Sequence, residues 1–208
     1  EQLERGLREL LAGTRRVAME YSPGCAIPYV SRVDAGTVEL VRQCGAEVVS
    51  SGDLVQRFSA VWGAEAIATH LTASVALHRI KDKAFEAVAR RVRDGVATTE
   101  FEIQQLMAGW FREEGLVTDS DPNVSAEENA GNPHYLPTAA RSRSIGPNEL
   151  VLLDLWGKQT RDRAVYADIS WMGFTGPAIP APVEAAFSAA RDARKGAAVM
   201  RMIVVEGV

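Results

Sequence analysis

Two apolar runs late in the chain each carry one aspartate near the centre: Glu149-Leu-Val-Leu-Leu-Asp-Leu-Trp and Ala164-Val-Tyr-Ala-Asp-Ile-Ser-Trp. Their β-branched and aromatic residues, with the polar loop 157–163 between them, predict two antiparallel strands. Aspartate is disfavoured in strands, and an unpaired charge in an apolar interior is costly. The fold must therefore offer Asp154 and Asp168 a partner or a surface. Adjacent antiparallel strands can bring two such side chains onto one face, and a cation held between them accounts for both. Carboxylate oxygens suit hard or borderline divalent ions such as Mn, Mg, Co or Zn. The alternative is that one or both aspartates sit at sheet edges in solvent, or pair with Arg161, Arg163 or another basic group.

The rest of the chain supplies helices and a smaller α/β segment. Leu3, Leu7, Leu10 and Leu11 fall at helical spacing. Arg16-Val-Ala-Met-Glu-Tyr-Ser and Ala46-Glu-Val-Val read as strands. Between them a helix near Asp34 runs through Val38, Leu40 and Val41 and stops at Gly45. Residues 1–62 thus look like the end of an α/β domain. A long helix over 63–95 carries Ile67, Leu71, Val75, Phe85, Val88 and Val92 as its expected apolar positions. Thr99 and Glu102 form a capping box for a second helix, whose apolar face is Phe101, Ile103, Leu106, Met107, Trp110 and Phe111, and Gly115 ends it. Residues 116–148 are polar and turn-rich, and a stretch this long inside a domain is usually functional or mobile. Pro182 opens a last helix expected to carry Val183, Phe187, Met200 and Val204. A weak internal echo sets Leu71 on Val183, Val75 on Phe187, Lys83 on Lys195, Val88 on Met200, Val92 on Val204 and Gly95-Val96 on Gly207-Val208. It reads either as the mark of two related halves or as chance, since any two amphipathic helices share some of this.

Composition narrows the partners. A net charge of −4 gives no electrostatic reason to expect nucleic acid or an anionic membrane. Cys25 and Cys44 are too few for a disulfide framework, so a reducing cytoplasm is the expected compartment. No apolar run has the length that spans a bilayer. The first residue is Glu1, not Met, and the chain is read as beginning inside a longer protein.

His134 lies in Glu128-Asn-Ala-Gly-Asn-Pro-His-Tyr, a loop rich in polar groups. It can hydrogen-bond a substrate carbonyl or move a proton, or it is an ordinary surface histidine. His70 and His78 miss the i, i+4 spacing of a helical metal pair and read as surface or packing residues. There is no G-x-S-x-G, and the cysteines have no histidine near in sequence. The glycines form neither a P-loop nor a dinucleotide fingerprint.

In series, Asn129-Ala-Gly-Asn-Pro-His-Tyr, Leu152-Leu-Asp-Leu-Trp-Gly and Tyr166-Ala-Asp-Ile-Ser-Trp resemble the creatinase, prolidase and aminopeptidase P superfamily, with its pita-bread fold. The preceding helix pair and its Thr99-Glu-Phe-Glu start fit as well. The resemblance covers residues 63–208 and implies the first part of a pita-bread catalytic domain, of α/β (α+β) class. Residues 1–62 then resemble the C-terminal part of the smaller creatinase-like domain that precedes it. By resemblance, Asp154 binds one metal of a pair, Asp168 bridges both, and His134 lies beside the metals and contacts substrate. The implied cofactors are two divalent ions (Mn, Co or Zn), and the implied substrate is a short peptide with proline next to the cleaved bond. The family's remaining His and two Glu ligands are expected after Val208, so this chain is expected to hold part of the site. A homodimer is implied too. Two other activities stay open: a creatinase-like or other small-molecule hydrolase or lyase, and a metal-free binding module. The sequence departs from the family in a longer interval between the two aspartates, and in Ser170-Trp171 where an arginine commonly follows.

Overall fold

In a computed structural model, residues 2–193 and 202–204 are described, and the chain divides into two units, Glu1–Gly63 and Ala64–Val208. The first unit contains helix α1 (Gln2–Leu10), strand β1 (Arg16–Met19), helix α2 (Ala35–Gln43), strand β2 (Glu47–Ser50) and helix α3 (Gly52–Ser59). The strands pair in parallel, Arg16 opposite Glu47 and Met19 opposite Ser50. Val38 and Val41 of α2 pack with Ala46 and Val48, closing a small βαβ core. Asp34 caps α2 by accepting from the Thr37 N–H at 2.9 Å. Gly45 sits at φ +97°, a conformation only glycine adopts without strain. The sequence periodicity does not predict α3.

The second unit opens with α4 (Ala64–Arg93) and α5 (Glu100–Glu113). Strands β3 (Leu116–Val117), β4 (Asn123–Ala126), β5 (Leu150–Gln159) and β6 (Ala167–Phe174), helix α6 (Ala181–Ala193) and strand β7 (Met202–Val204) follow. The sheet runs β3-β5-β6-β7, with β4 also on β5. The antiparallel β5–β6 pair forms as expected, from Leu150 opposite Phe174 to Gly157 opposite Ala167. Side chains alternate across it. Val151, Leu153 and Leu155 are buried, in one core with Leu77, Ile80 and Val88 of α4 and with Ile103, Met107 and Phe111 of α5. Leu150, Leu152, Asp154 and Trp156 alternate with them along β5 and are half-buried.

Three sequence expectations change. Strand β5 runs past the expected loop start at residue 157 to Gln159, because Lys158 and Gln159 pair with Val117 and Leu116; the loop is 160–166. On α4, Ile67, Leu71 and Val75 are 45%, 57% and 54% exposed. The buried side carries Thr69, Ala73, Ala76, Leu77 and Ile80, which lie on the opposite side of a 100°-per-residue helix. The large apolar residues at the start of α4 therefore mark the wrong stripe, and small ones meet the core. Finally, Val204 lies in β7, paired in parallel with Phe174, and not on a helix. Consecutive Ile203 and Val204 suit a strand, and the internal echo breaks there, since Val92 is helical. Lys195, Met200, Gly207 and Val208, other partners of that echo, lie outside the described residues.

Within the irregular segment, all four residues of β4 are buried. Its polar residues satisfy each other, with the Ser125 hydroxyl donating to Asn123 Oδ1 at 2.8 Å, which offsets their desolvation.

Candidate metal centre

The β5–β6 register sets Asp154 opposite Ser170 and Trp156 opposite Asp168. The two aspartates are therefore diagonal neighbours on one face, the face turned away from Leu153 and Leu155. Ser170 donates its hydroxyl to Asp154 Oδ1 at 2.5 Å. The Asp168 carboxyl is pushed above the usual aspartate range, first by desolvation and then by the negative charge of Asp154. Among the described residues neither aspartate is in an ion pair. Arg161, a candidate partner from the sequence, binds Glu65 instead.

The hairpin is tied to the first turns of α4. Besides the Arg161–Glu65 pair, the Val165 N–H donates to Thr69 Oγ1 at 3.2 Å. His70 Nδ1 meets the Tyr166 carbonyl at 2.8 Å, two residues before Asp168. These contacts fix where β6 begins and so where Asp168 stands. His70 is thus a structural anchor. His78 packs edge-on against Trp171 at 5.7 Å, as a packing residue should.

Trp156, on the aspartate face, donates its indole N–H to Asp119 Oδ1 at 2.5 Å. This brings a third carboxylate toward that face, already engaged. Among the described residues no group of three or more His, Cys, Asp or Glu side chains could hold a metal ion. Asp154 and Asp168 are an acceptor-only pair whose mutual repulsion a divalent cation would relieve. They fit such an ion as part of a larger donor set.

His134 is exposed on its loop, with its backbone N–H donating to Asn132 Oδ1 at 3.0 Å. It lines an open groove of about 600 Å³ with Asn129, Tyr135, Arg141 and Arg143. Neither aspartate lines that groove. The structure therefore brings Asp154 and Asp168 together on one face, and among the described residues no hydrogen bond or ion pair joins either to His134.

Sequence reasoning missed Glu100. It is fully buried. Its carboxylate accepts from the Ala126 N–H at 2.7 Å, from Asn129 Nδ2 at 3.0 and 3.2 Å, and from the Arg143 N–H at 2.9 Å. The Tyr135 hydroxyl also donates to it. Burial, followed by this carboxylate, pushes the Tyr135 phenol up to about 12. In sequence Glu100 is only an acidic residue in the first turn of a helix, where the dipole favours it anyway. The expected capping box beside it is present, with Glu102 N–H on Thr99 Oγ1 at 3.2 Å and Thr99 N–H on Glu102 Oε2 at 3.0 Å.

Fold and site together define an α/β protein with helices on one face of its main sheet and an acidic pair on the other. Residues 75–207 match the sequence model of metallopeptidase family M24, and the chain belongs to that family. Among solved structures it is similar to aminopeptidase PepP of Pseudomonas aeruginosa, at 18% identity over 89% of this chain and 40% of that one, TM-score 0.53. It is also similar to an X-prolyl aminopeptidase from Caenorhabditis elegans, described as a cytosolic enzyme with a di-nuclear active site. There the identity is 20% over 69% of this chain and 23% of that one, TM-score 0.54. A prolidase from Thermococcus sibiricus matches at 18% identity over 79% of this chain and 42% of that one, TM-score 0.52. At these identities the likeness establishes the fold, the expected pita-bread architecture. The chain spans less than half the length of each of these proteins. No curated protein matches the sequence. Among the described residues no helix is long and apolar enough to cross a membrane.

Proposed function

We propose that the protein is a metal-dependent peptidase of the Xaa-Pro type, prolidase or aminopeptidase P, in which Asp154 and Asp168 are metal ligands. The observation that carries this reading is the placement of both carboxylates on one sheet face with no ion-pair partner among the described residues. Family membership supports it. A pair of divalent ions (Mn, Co or Zn) bound there supplies Lewis-acid polarisation of the scissile carbonyl and lowers the pKa of water. On the protein side, the Ser170 hydroxyl holds one oxygen of Asp154, which leaves the other free to coordinate. His134, on its exposed loop, hydrogen-bonds the substrate carbonyl or carries a proton. The substrate is a short peptide with proline next to the cleaved bond. The enzyme works as a cytoplasmic homodimer, and residues 1–62 are the end of a smaller preceding domain.

The test uses the full-length protein with added Mn, Co or Zn, assayed on Xaa-Pro dipeptides and on longer Xaa-Pro peptides. Turnover that disappears in Asp154→Asn is the expected result. No turnover of either substrate class with metal shown bound removes the peptidase reading.

A further inference from the structure

Among the described residues, every acceptor contact of Glu100 comes from the loop that carries His134. The Ala126 N–H lies at the loop's entry, the Asn129 amide and Tyr135 hydroxyl along it, and the Arg143 N–H at its exit. The start of α5 closes the same loop from its own side. The Glu100 N–H donates to the Arg143 carbonyl at 3.1 Å, and the Phe101 N–H donates to Ser142 Oγ at 2.9 Å. The Thr99–Glu102 box serves only the Thr99 and Glu102 N–H groups, so the loop satisfies the other first-turn N–H groups of the helix while the Glu100 carboxylate gathers the loop in return. His134 stands immediately before Tyr135, so the tyrosine that anchors the loop's middle also sets where the imidazole stands.

We propose that Glu100 is a positioning residue, a buried carboxylate that gathers the loop 126–143 through four donors and thereby holds His134 in its working place. The assignment rests on the role given to His134 above. An ionised carboxylate is acceptor-only and takes all four donors. The amide of a glutamine would turn its own N–H groups toward them. Tyr135 is the lever between Glu100 and His134, and its hydroxyl is an anchor that can be deleted with little change of shape.

The experiment uses the full-length, metal-loaded protein and the peptide it turns over. kcat, KM, bound metal and thermal unfolding are measured for His134→Ala, Glu100→Gln, Tyr135→Phe and the double variant His134→Ala/Tyr135→Phe. Displacing a reacting group by about 1 Å costs on the order of 100-fold, so Glu100→Gln and Tyr135→Phe should lower kcat by about 10- to 100-fold. Metal content should not change. In the His134→Ala background Tyr135→Phe should lower kcat no further, because it has no imidazole left to misplace. Multiplying effects, or an unchanged kcat with only a lower unfolding temperature, overturn the inference. If Glu100→Gln does not fold, Tyr135→Phe decides. Full activity in His134→Ala sinks the role of His134 and the inference together. Loss of activity in His134→Ala with none in Tyr135→Phe sinks the inference alone. Amide hydrogen exchange over 127–142 gives a readout independent of turnover: it should speed up in Tyr135→Phe, and an unchanged rate refutes the anchor.

Discussion

Gly157→Ala is the sharpest available test of how the sheet is held against α5. Gly157 lies on β5 in the buried alternation of Val151, Leu153 and Leu155, where the next inward side chain would point at the helix. A Cβ there would come within 2.9 Å of Phe111 Cε1 and 3.2 Å of the Val117 carbonyl oxygen. The first distance is shorter than real Cβ contacts reach. The Phe111 ring is itself buried, so it has little room to retreat. The second contact is backbone of β3, held in register on Lys158. Overpacking of this kind costs about 1–3 kcal/mol. In a domain of this size that lowers the unfolding midpoint by roughly 2–4 °C per kcal/mol. Three of the four tryptophans, Trp110, Trp156 and Trp171, lie in the second unit, so urea unfolding followed by tryptophan fluorescence reports mainly on the unit in question. Phe111→Leu should be destabilising alone yet rescue part of the Gly157→Ala loss, with a coupling of about 1 kcal/mol. If Gly157→Ala leaves the urea midpoint unchanged, or if the two substitutions add without coupling, the packing argument is wrong.

Asp154→Asn and Asp168→Asn should each abolish most divalent-metal binding by the full-length protein, read as metal per chain after dialysis, and retention of wild-type stoichiometry in both refutes the carboxylate site. The raised Asp168 carboxyl carries a definite pH signature in metal-stripped protein. The folded state binds its proton more tightly than the unfolded state, so stability is greatest below the ordinary aspartate pKa and falls as pH climbs through the raised folded value. Asp154→Asn removes the repulsive part of that shift and should flatten the fall, and an unaltered pH profile of thermal unfolding counts against the coupling. The Tyr135 phenol should ionise near 12; an ultraviolet titration in which Tyr135→Phe removes a group ionising at the ordinary tyrosine pKa, about 10, contradicts the buried contact with Glu100.

Local signals were read correctly from the sequence because their physics is local. The capping box of α5 needs only Thr99 and Glu102 three residues apart. The start of α2 near Asp34 and its stop at Gly45 are equally short-range. The buried side of α4 was misread because burial there falls on Ala73 and Ala76, which carry little hydrophobic signal, while Leu71 and Val75 carry much and face outward. The loop 116–148 looked irregular because nothing nearby shows that Asn123-Val-Ser-Ala finds β5 as a partner. Glu100 was invisible for the same reason, since its donors come from residues 26 to 43 positions further on.

The sequence alone determined that two strands, each with one aspartate, would pair through a short loop, because two runs rich in β-branched and aromatic residues flank one polar segment. Whether the carboxylates meet was not decided there. In an antiparallel pair, residue numbers opposite each other have a constant sum, and here Asp154 faces Ser170 while Asp168 faces Trp156. A slip of one residue would send one aspartate to the helices and leave the other outside. The tertiary structure fixes that register: Val151, Leu153 and Leu155 are buried with the helices, β3 pairs with the far end of β5, and the first turns of α4 grip the loop through Glu65, Thr69 and His70. Those partners lie far along the chain, so the face on which Asp154 and Asp168 meet is set by packing and not by local preference.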